Sequence, residues 1–254
     1  GSGYSDLARS TVAEVYTQIL SDLNFSETNL PLTNGASAEL NTTRAHRNTA
    51  IALKTRVYLT MGNYASVVTE ANKIVAQSVA PFSATSGVAH ALQANITNIF
   101  GAAPIYNTTE SIFSLPMTST AGDFPGIQNQ LGFYFVRNGA SLGAAEYSLN
   151  VNGILANPSW TATDVRKTAL VFTNGTTGKK YVSKYQNASP YLDYPPVIRY
   201  AEVLLNLAEA LARNNAVVDT RALALVNAVR KRSDPATTIV AVTQQQLIDA
   251  IMLE

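Results

Sequence analysis

The sequence predicts a mainly α fold, a helical-repeat scaffold interrupted by a long irregular insertion that holds short β-hairpins. Two observations predict it. Apolar residues recur at spacings of three and four near both ends of the 254-residue chain, over 4–80 and 195–254, as helices require. Between them, 81–194 loses that period and carries the turn dipeptides Asn138-Gly139, Asn152-Gly153 and Asn174-Gly175. A structureless segment of that length is rare in a compact domain, so small hairpins draped over the helices are expected within a single domain spanning 1–254.

Taken in order, Val12, Val15, Tyr16, Ile19, Leu20 and Leu23 set the inner face of a helix over 11–23, with Ser10 or Thr11 as cap and Glu14 in the first turn. Ala50, Leu53, Val57 and Met61 form the inner stripe of the next helix. Gly62 supplies the left-handed position that ends it, and Asn63 caps a return helix lined by Tyr64, Val67, Val68, Ala71, Ile74 and Val75. A glycine in the tight turn with an aromatic just beyond it, as in YLTMGNYASVV, is tetratricopeptide-like. In the insertion, strand-like runs fall at 113–117, 132–136, 169–173 and 179–185, and the last two flank Asn174 to Gly178 as a hairpin loop. Near the other end, Arg199, Glu202, Asn206, Glu209 and Arg213 make one narrow polar stripe on a helix that is otherwise apolar, so most of its circumference is expected to be buried. Pro195-Pro196 suits its start and Asn214-Asn215 its end. Asp219 or Thr220 can cap a partner helix whose inner face is Leu223, Val226 and Val229, with Arg230, Lys231 and Arg232 in the last turn to suit the macrodipole.

Composition sets outer limits. Apolar residues at 46 % give ample material for a core, and charged residues are only 14 %. A net charge of +1 argues against a nucleic-acid partner. With no cysteine there is neither a disulfide nor thiol chemistry. Every long apolar stretch is broken by Arg, Glu or Asn well before the roughly 20 residues a membrane-spanning helix needs.

Catalytic constellations fail one by one. Glu202 and Glu209 lie seven residues apart on one helix, roughly 10 Å, beyond the separations of a glycosidase pair. Flanked by Arg199 and Arg213, they read as a solvated ion ladder. His46 and His90 have no partner at ligand spacing and are expected at the surface, so no metal and no cofactor is implied. Gly175 to Lys180 is similar to a phosphate loop but lacks its glycine spacing. Asp164 and Arg166 in TDVRK, and Glu110 in TESIFSL, read as structural ties between insertion and scaffold. Hydrolysis would need carboxylates assembled by the fold, such as Asp123, Glu146 or Asp164. Six Asn-X-Ser/Thr sequons are what an Asn- and Thr-rich chain produces by chance.

An ordered set of words carries a resemblance: VAEVYTQILSDL, NLP, RNTAIALKTRVYLTMGNYASVV, TESIFSL, TDVRK and PPVIRYAEVLLNLAEALARNN. Together they resemble the SusD/RagB family of outer-surface glycan-binding lipoproteins of Bacteroidetes. The resemblance implies non-catalytic binding of polysaccharide or oligosaccharide at the outer surface of an outer membrane. It also implies a lipid anchor in the full-length protein and delivery to a SusC-like TonB-dependent transporter. Gly1-Ser2-Gly3 looks like a cloning scar, and the family pattern continues beyond QQQLIDAIMLE, so a piece of a longer protein is expected. The alternative is a helical-repeat protein-interaction module without a glycan ligand.

Sugar recognition needs flat apolar faces for C–H surfaces and planar groups for hydroxyls. Trp160, the only tryptophan, offers the largest face plus a donor. Phe133, Tyr134 and Phe135, beside Arg137, Asn129 and Asn138, form the other candidate cluster. The competing expectation is that these rings cover the helical core.

Overall fold

The computed structural model describes residues 8–100, 108–118, 131–135, 147–187 and 190–254. Helices α1 (Val12–Asn29), α2 (Leu40–Thr43), α3 (Arg47–Thr60) and α4 (Tyr64–Ala71) come first. Strand β1 (Ser111–Ser114), helix α5 (Leu131–Phe135), strand β2 (Ser148–Leu149), helix α6 (Val165–Ala169) and strands β3 (Val171–Thr173) and β4 (Lys180–Val182) make up the middle. Strand β5 (Pro196–Arg199) and helices α7 (Tyr200–Asn214), α8 (Thr220–Ser233) and α9 (Gln244–Leu253) complete the chain. The fold is mainly α and tetratricopeptide-like. Hairpins α3/α4 and α7/α8 stack through α4 against α7, and α9 packs on α7.

The first hairpin forms for the reasons its residues give. Gly62 sits at φ +70°, a region costly for residues with a Cβ, and the Asn63 side chain accepts from Ser66 N to start α4. Helix α4 ends at Ala71, earlier than its pattern suggests, yet Ile74 and Val75 in the turns beyond are fully buried. On α3 the expected stripe is out of phase with the buried face. Met61 is exposed and Leu53 and Val57 are half-buried, while Asn48 to Ala52, Lys54 and Thr55 are covered. Neighbours on several sides cause this: α1, α4 and α7 all pack on α3, so its buried arc is wider than one stripe. The polar members of that arc are tied down. Asn48 Nδ2 donates to the carbonyls of Ser86 and Val88, and Lys54 pairs with Glu27 and with Glu70.

Helix α1 runs six residues further than predicted, to Asn29, and its start is a capping box between Thr11 and Glu14. Of its predicted inner face only Leu23 is buried; Val12 is 70 % exposed and Val15 46 %. The helix docks on α3 largely through polar contacts near its C-terminal end, where Glu27 and Asn24 meet Lys54.

Three further expectations are corrected. Residues 132–136 read as a strand in the sequence, but Leu131–Phe135 is helical, its three consecutive rings packing against other rings and not alternating across a sheet. Pro195-Pro196 does not start α7. Pro196 opens β5, which pairs antiparallel with β1 (Ser111 with Arg199, Phe113 with Ile198, Ser114 with Pro196), and the helix begins at Tyr200. A residue preceding proline is steered to extended backbone, and β-branched Val197 and Ile198 continue it. His46 and His90 are not at the surface. They are 0 % and 1 % exposed and stack with ring centroids 5.3 Å apart, His90 stacking in turn on Tyr200 at 6.3 Å.

The hairpin β3/β4 is as predicted. Val171, Phe172 and Thr173 pair with Val182, Tyr181 and Lys180, and the Asn174 side chain accepts from Thr176 N and Thr177 N in the loop. Strand β2 adds to the other edge of β4. Asn138-Gly139 lies outside the described residues.

The main core joins α3, α4, α7, α8 and α9 with Ile112 of β1 and Ile198 of β5. In α7, Val203, Leu204, Leu207, Ala208 and Ala210 are all fully buried, as its one-stripe pattern requires. Asp219 caps α8 by accepting from Ala222 N.

Candidate functional site

The strand β5 leads directly into α7, and its last residue, Arg199, projects toward the insertion. Its Nη1 donates to Glu110 Oε1 at 3.0 Å, and Arg232 at the end of α8 donates to the other oxygen of the same fully buried carboxylate. Gln93 N donates to that second oxygen as well, at 3.0 Å. From α6, Arg166 makes an ion pair with Asp164, the N-cap of its own helix, at 2.7 Å, and with Glu254 at 2.6 Å. Glu254 also takes Arg230 at 2.5 Å. Asp164, Arg166 and Glu110 therefore tie the insertion to the scaffold, as their sequence context suggests.

Arg166, Arg199, Arg232 and Glu254 border an open cavity of about 520 Å³, within the range typical of small-ligand sites. Its floor is the polar stripe of α7, Glu202 and Asn206, with Leu205 between them; its far wall is Leu149, Val171 and Val182 of the three-stranded sheet. The stripe is not a self-contained ion ladder. Arg56 of α3 grips Glu202 with two nitrogens, at 2.6 and 2.8 Å, and Asn206 Nδ2 donates to Thr55 at 3.1 Å. Of the five stripe residues, only Glu209 and Arg213 pair along the helix. Because α3 packs beside α7, and β5, paired with β1, leads into it, its polar groups find partners across elements.

Two aromatic faces reach the cavity. Phe100 carries Lys184 Nζ 4.9 Å and the Arg199 guanidinium 5.4 Å from its ring centre. Trp160 is half-buried and lines both this cavity and an adjoining one of about 150 Å³. Its backbone is pinned by Lys167, whose Nζ donates to Trp160 O at 2.9 Å and sits 5.5 Å from the indole centre. Burial, with Arg199 and Arg166 alongside, pushes the Lys184 pKa below the usual ammonium range. Arg232 is likewise pushed down, chiefly by burial.

The other predicted residues lie elsewhere. Phe133 and Tyr134 of α5 belong to a separate ring cluster: Phe133 meets Tyr134 edge-on at 5.3 Å and Tyr191 at 5.7 Å, and Tyr134 meets Tyr147 at 6.2 Å. Phe135 stacks on Tyr185 at 5.9 Å, so consecutive residues Lys184 and Tyr185 join the cavity to the cluster. Within it Tyr191 is buried and Tyr147 is 59 % exposed. Arg137 and Asn129, like Asn138, Asp123 and Glu146, lie outside the described residues. Lys184, Phe100 and Arg232 are cavity residues that the sequence reading does not select. For Arg232 the signal is present: it follows Val229 by three and Arg230 follows Val226 by four, so both arginines lie on the inner face of α8. Nothing in the sequence singles out Lys184.

Among the described residues no group of three or more His, Cys, Asp or Glu is placed to hold a metal ion, and no helix is long and apolar enough to cross a membrane. The arrangement offers ring faces and planar donors, the equipment of a binding site.

A tetratricopeptide-like scaffold with a cavity under its insertion defines a class of helical binding scaffolds. The chain belongs to the SusD family, whose model matches residues 47–254. No protein of curated function matches it. Among solved structures, a SusD superfamily protein from Bacteroides fragilis is similar with a TM-score of 0.74 and 31 % identity, over 96 % of this chain and 51 % of that one. A SusD superfamily protein from Parabacteroides distasonis has a TM-score of 0.73 at 17 % identity, over 98 % of this chain and 57 % of its own. Surface glycan-binding protein A from Bacteroides uniformis has a TM-score of 0.68 at 17 % identity, over 96 % and 54 %. The chain spans about half the length of these proteins.

Proposed function

We propose that this chain binds glycans without catalysis, at the outer surface of an outer membrane, and passes oligosaccharide to a SusC-like TonB-dependent transporter. The observation that carries the reading is the cavity over α7, where Trp160 and Phe100 offer ring faces beside the planar groups of Arg166, Arg199 and Asn206. Sugars are recognised by that combination of stacking and hydrogen bonding. Membership of the SusD family and the likeness to a protein named as a surface glycan-binding protein support it. The carboxylates of the α7 stripe are each engaged by an arginine, Glu202 by Arg56 and Glu209 by Arg213, which suits binding better than acid–base work. Isothermal titration against a broad panel of polysaccharides and oligosaccharides tests it: micromolar to millimolar binding of at least one is expected, and binding of none sinks it.

A second reading, a helical-repeat module that binds only protein, is favoured by the exposed apolar residues of α1, Val12, Val15 and Phe25. Recovery of a transporter complex with glycan in the insertion excludes it.

A further inference from the structure

We infer that the cavity over α7 is built for an acidic sugar, one whose ring bears a carboxylate, and not for a neutral one; this rests on the glycan-binding reading above. The cavity is lined by Arg166, Lys184, Arg199 and Arg232 with Glu202 and Glu254, and the ion partners behind that lining are Arg56, Arg230, Glu110 and Asp164, so six cations meet four side-chain carboxylates. Each carboxylate is already engaged. Glu202 is held by Arg56, Asp164 by Arg166, Glu254 by Arg166 and Arg230, and Glu110 by Arg199 and Arg232. The excess positive charge has no side-chain counterpart among the described residues that line the cavity.

Where that excess lies is also visible. Lys184 has no carboxylate and no hydrogen-bond acceptor among the described residues; it lies over the face of Phe100, which it shares with Arg199. Two cations over one ring repel each other, and Arg166 adds to the repulsion on Lys184. Arg232, whose side chain is only 5 % exposed, keeps its Nε without a partner among the described residues. A buried donor left unpaired and an ammonium crowded by guanidiniums are costly in a folded protein unless something fills the gap between them. The space beside them is open, and its remaining walls, Trp160 and the aliphatic residues of the sheet, suit the apolar face of a sugar ring. One carboxylate directed at Lys184 and Arg199 supplies the missing charge, and a charge-assisted bond of this type is stronger than a hydroxyl can make.

The test is titration of the 254-residue chain with trimers of galacturonate, glucuronate and mannuronate and with the matching neutral trimers of galactose, glucose and mannose. At least one uronate trimer is expected to bind about ten-fold or more tightly than its neutral counterpart, and Lys184→Met should erase that preference. Removing a crowded cation should also raise the ligand-free melting temperature of Lys184→Met. Equal or tighter binding of the neutral trimers overturns the inference and leaves the glycan reading standing, whereas binding of no trimer and of nothing in the wider glycan panel overturns both. A uronate preference that survives in Lys184→Met, or a lowered melting temperature for that variant, shows that the wrong group has been assigned. Displacement of the uronate by an equal concentration of sodium sulfate or acetate would mean a site for bare anions and sinks the sugar part.

Discussion

Mild acid should destabilise this fold through two rings at its centre. His46 and His90 are buried against each other, and burial, opposed in part by nearby backbone, lowers each pKa from an ordinary 6.5 to about 4; the neighbouring His46 adds to the effect on His90. In the folded state both rings stay neutral down to that range, while in the unfolded chain each takes a proton below 6.5. Stability is therefore complete above the unfolded value and is lost as pH falls from there towards the folded one. Between pH 7.5 and 5.0 the linkage amounts to about 2 kcal/mol per ring, or ~4 kcal/mol for the two. Glu27 and Asp234, whose carboxyls are held below their ordinary 4.5 and 3.8, cost stability only at lower pH. Asp193, pushed up chiefly by burial, works with the opposite sign, since its folded state keeps a proton that the unfolded chain has released. Urea unfolding followed by circular dichroism at pH 7.5, 6.5, 5.5 and 5.0, at constant ionic strength, measures the slope. Replacing either ring by Gln should remove about half of it. A stability that stays within about 0.5 kcal/mol across this range, or an undiminished slope in both single variants, would refute the reasoning.

Single contacts give further expected outcomes. Trp160→Ala should weaken glycan binding by about 1 to 3 kcal/mol in titration with little shift in melting temperature, because the ring is half-buried and faces the cavity. Tyr134→Ala, in the separate ring cluster, should cost folding stability first and leave binding in the cavity intact, as a thermal melt beside a titration will distinguish. Glu110→Gln leaves Arg199 and Arg232 facing each other without their shared carboxylate and should destabilise by roughly 3 to 5 kcal/mol in chemical denaturation. Asp219→Ala removes the cap of α8 and should cost about 1 kcal/mol by the same assay, an unchanged midpoint counting against the cap.

What the sequence disclosed and what it hid have separate physical causes. Local chemistry was legible: the Gly62 turn, the Asn63 and Asp219 caps and the β3/β4 loop each depend on residues a few positions apart. The buried face of α7 was legible because only one stripe is polar. Helix α3 misled because three helices pack around it, and a periodic stripe encodes one neighbour. The histidines misled because an apolar pocket formed by distant elements can keep an imidazole neutral and buried, and nothing adjacent in sequence announces that pocket. Partners were the least legible. Glu202 finds Arg56 across 146 residues and Glu110 finds Arg232 across 122, so reading Glu202 along its own helix assigned it to the wrong pair. Of the candidate site, Trp160 stood out by the rarity and size of its side chain, whereas Lys184 has significance only from the guanidiniums the fold brings around it.

The pairing of β1 with β5 has a topological consequence. It brings Ser114 beside Pro196, so everything in 115–195 leaves and returns through a base held by backbone hydrogen bonds at the foot of α7. The closure entropy of a loop grows only with the logarithm of its length, about 0.6 kcal/mol for each doubling. Lengthening, trimming or rewriting that cassette therefore costs the helices almost nothing, as long as the two short strands and the ties from Glu110 and Arg166 remain. The half of the cavity that 115–195 supplies, Trp160 and Lys184 among it, is thereby free to diversify, while the half that β5, α7 and α8 supply stays fixed with the fold.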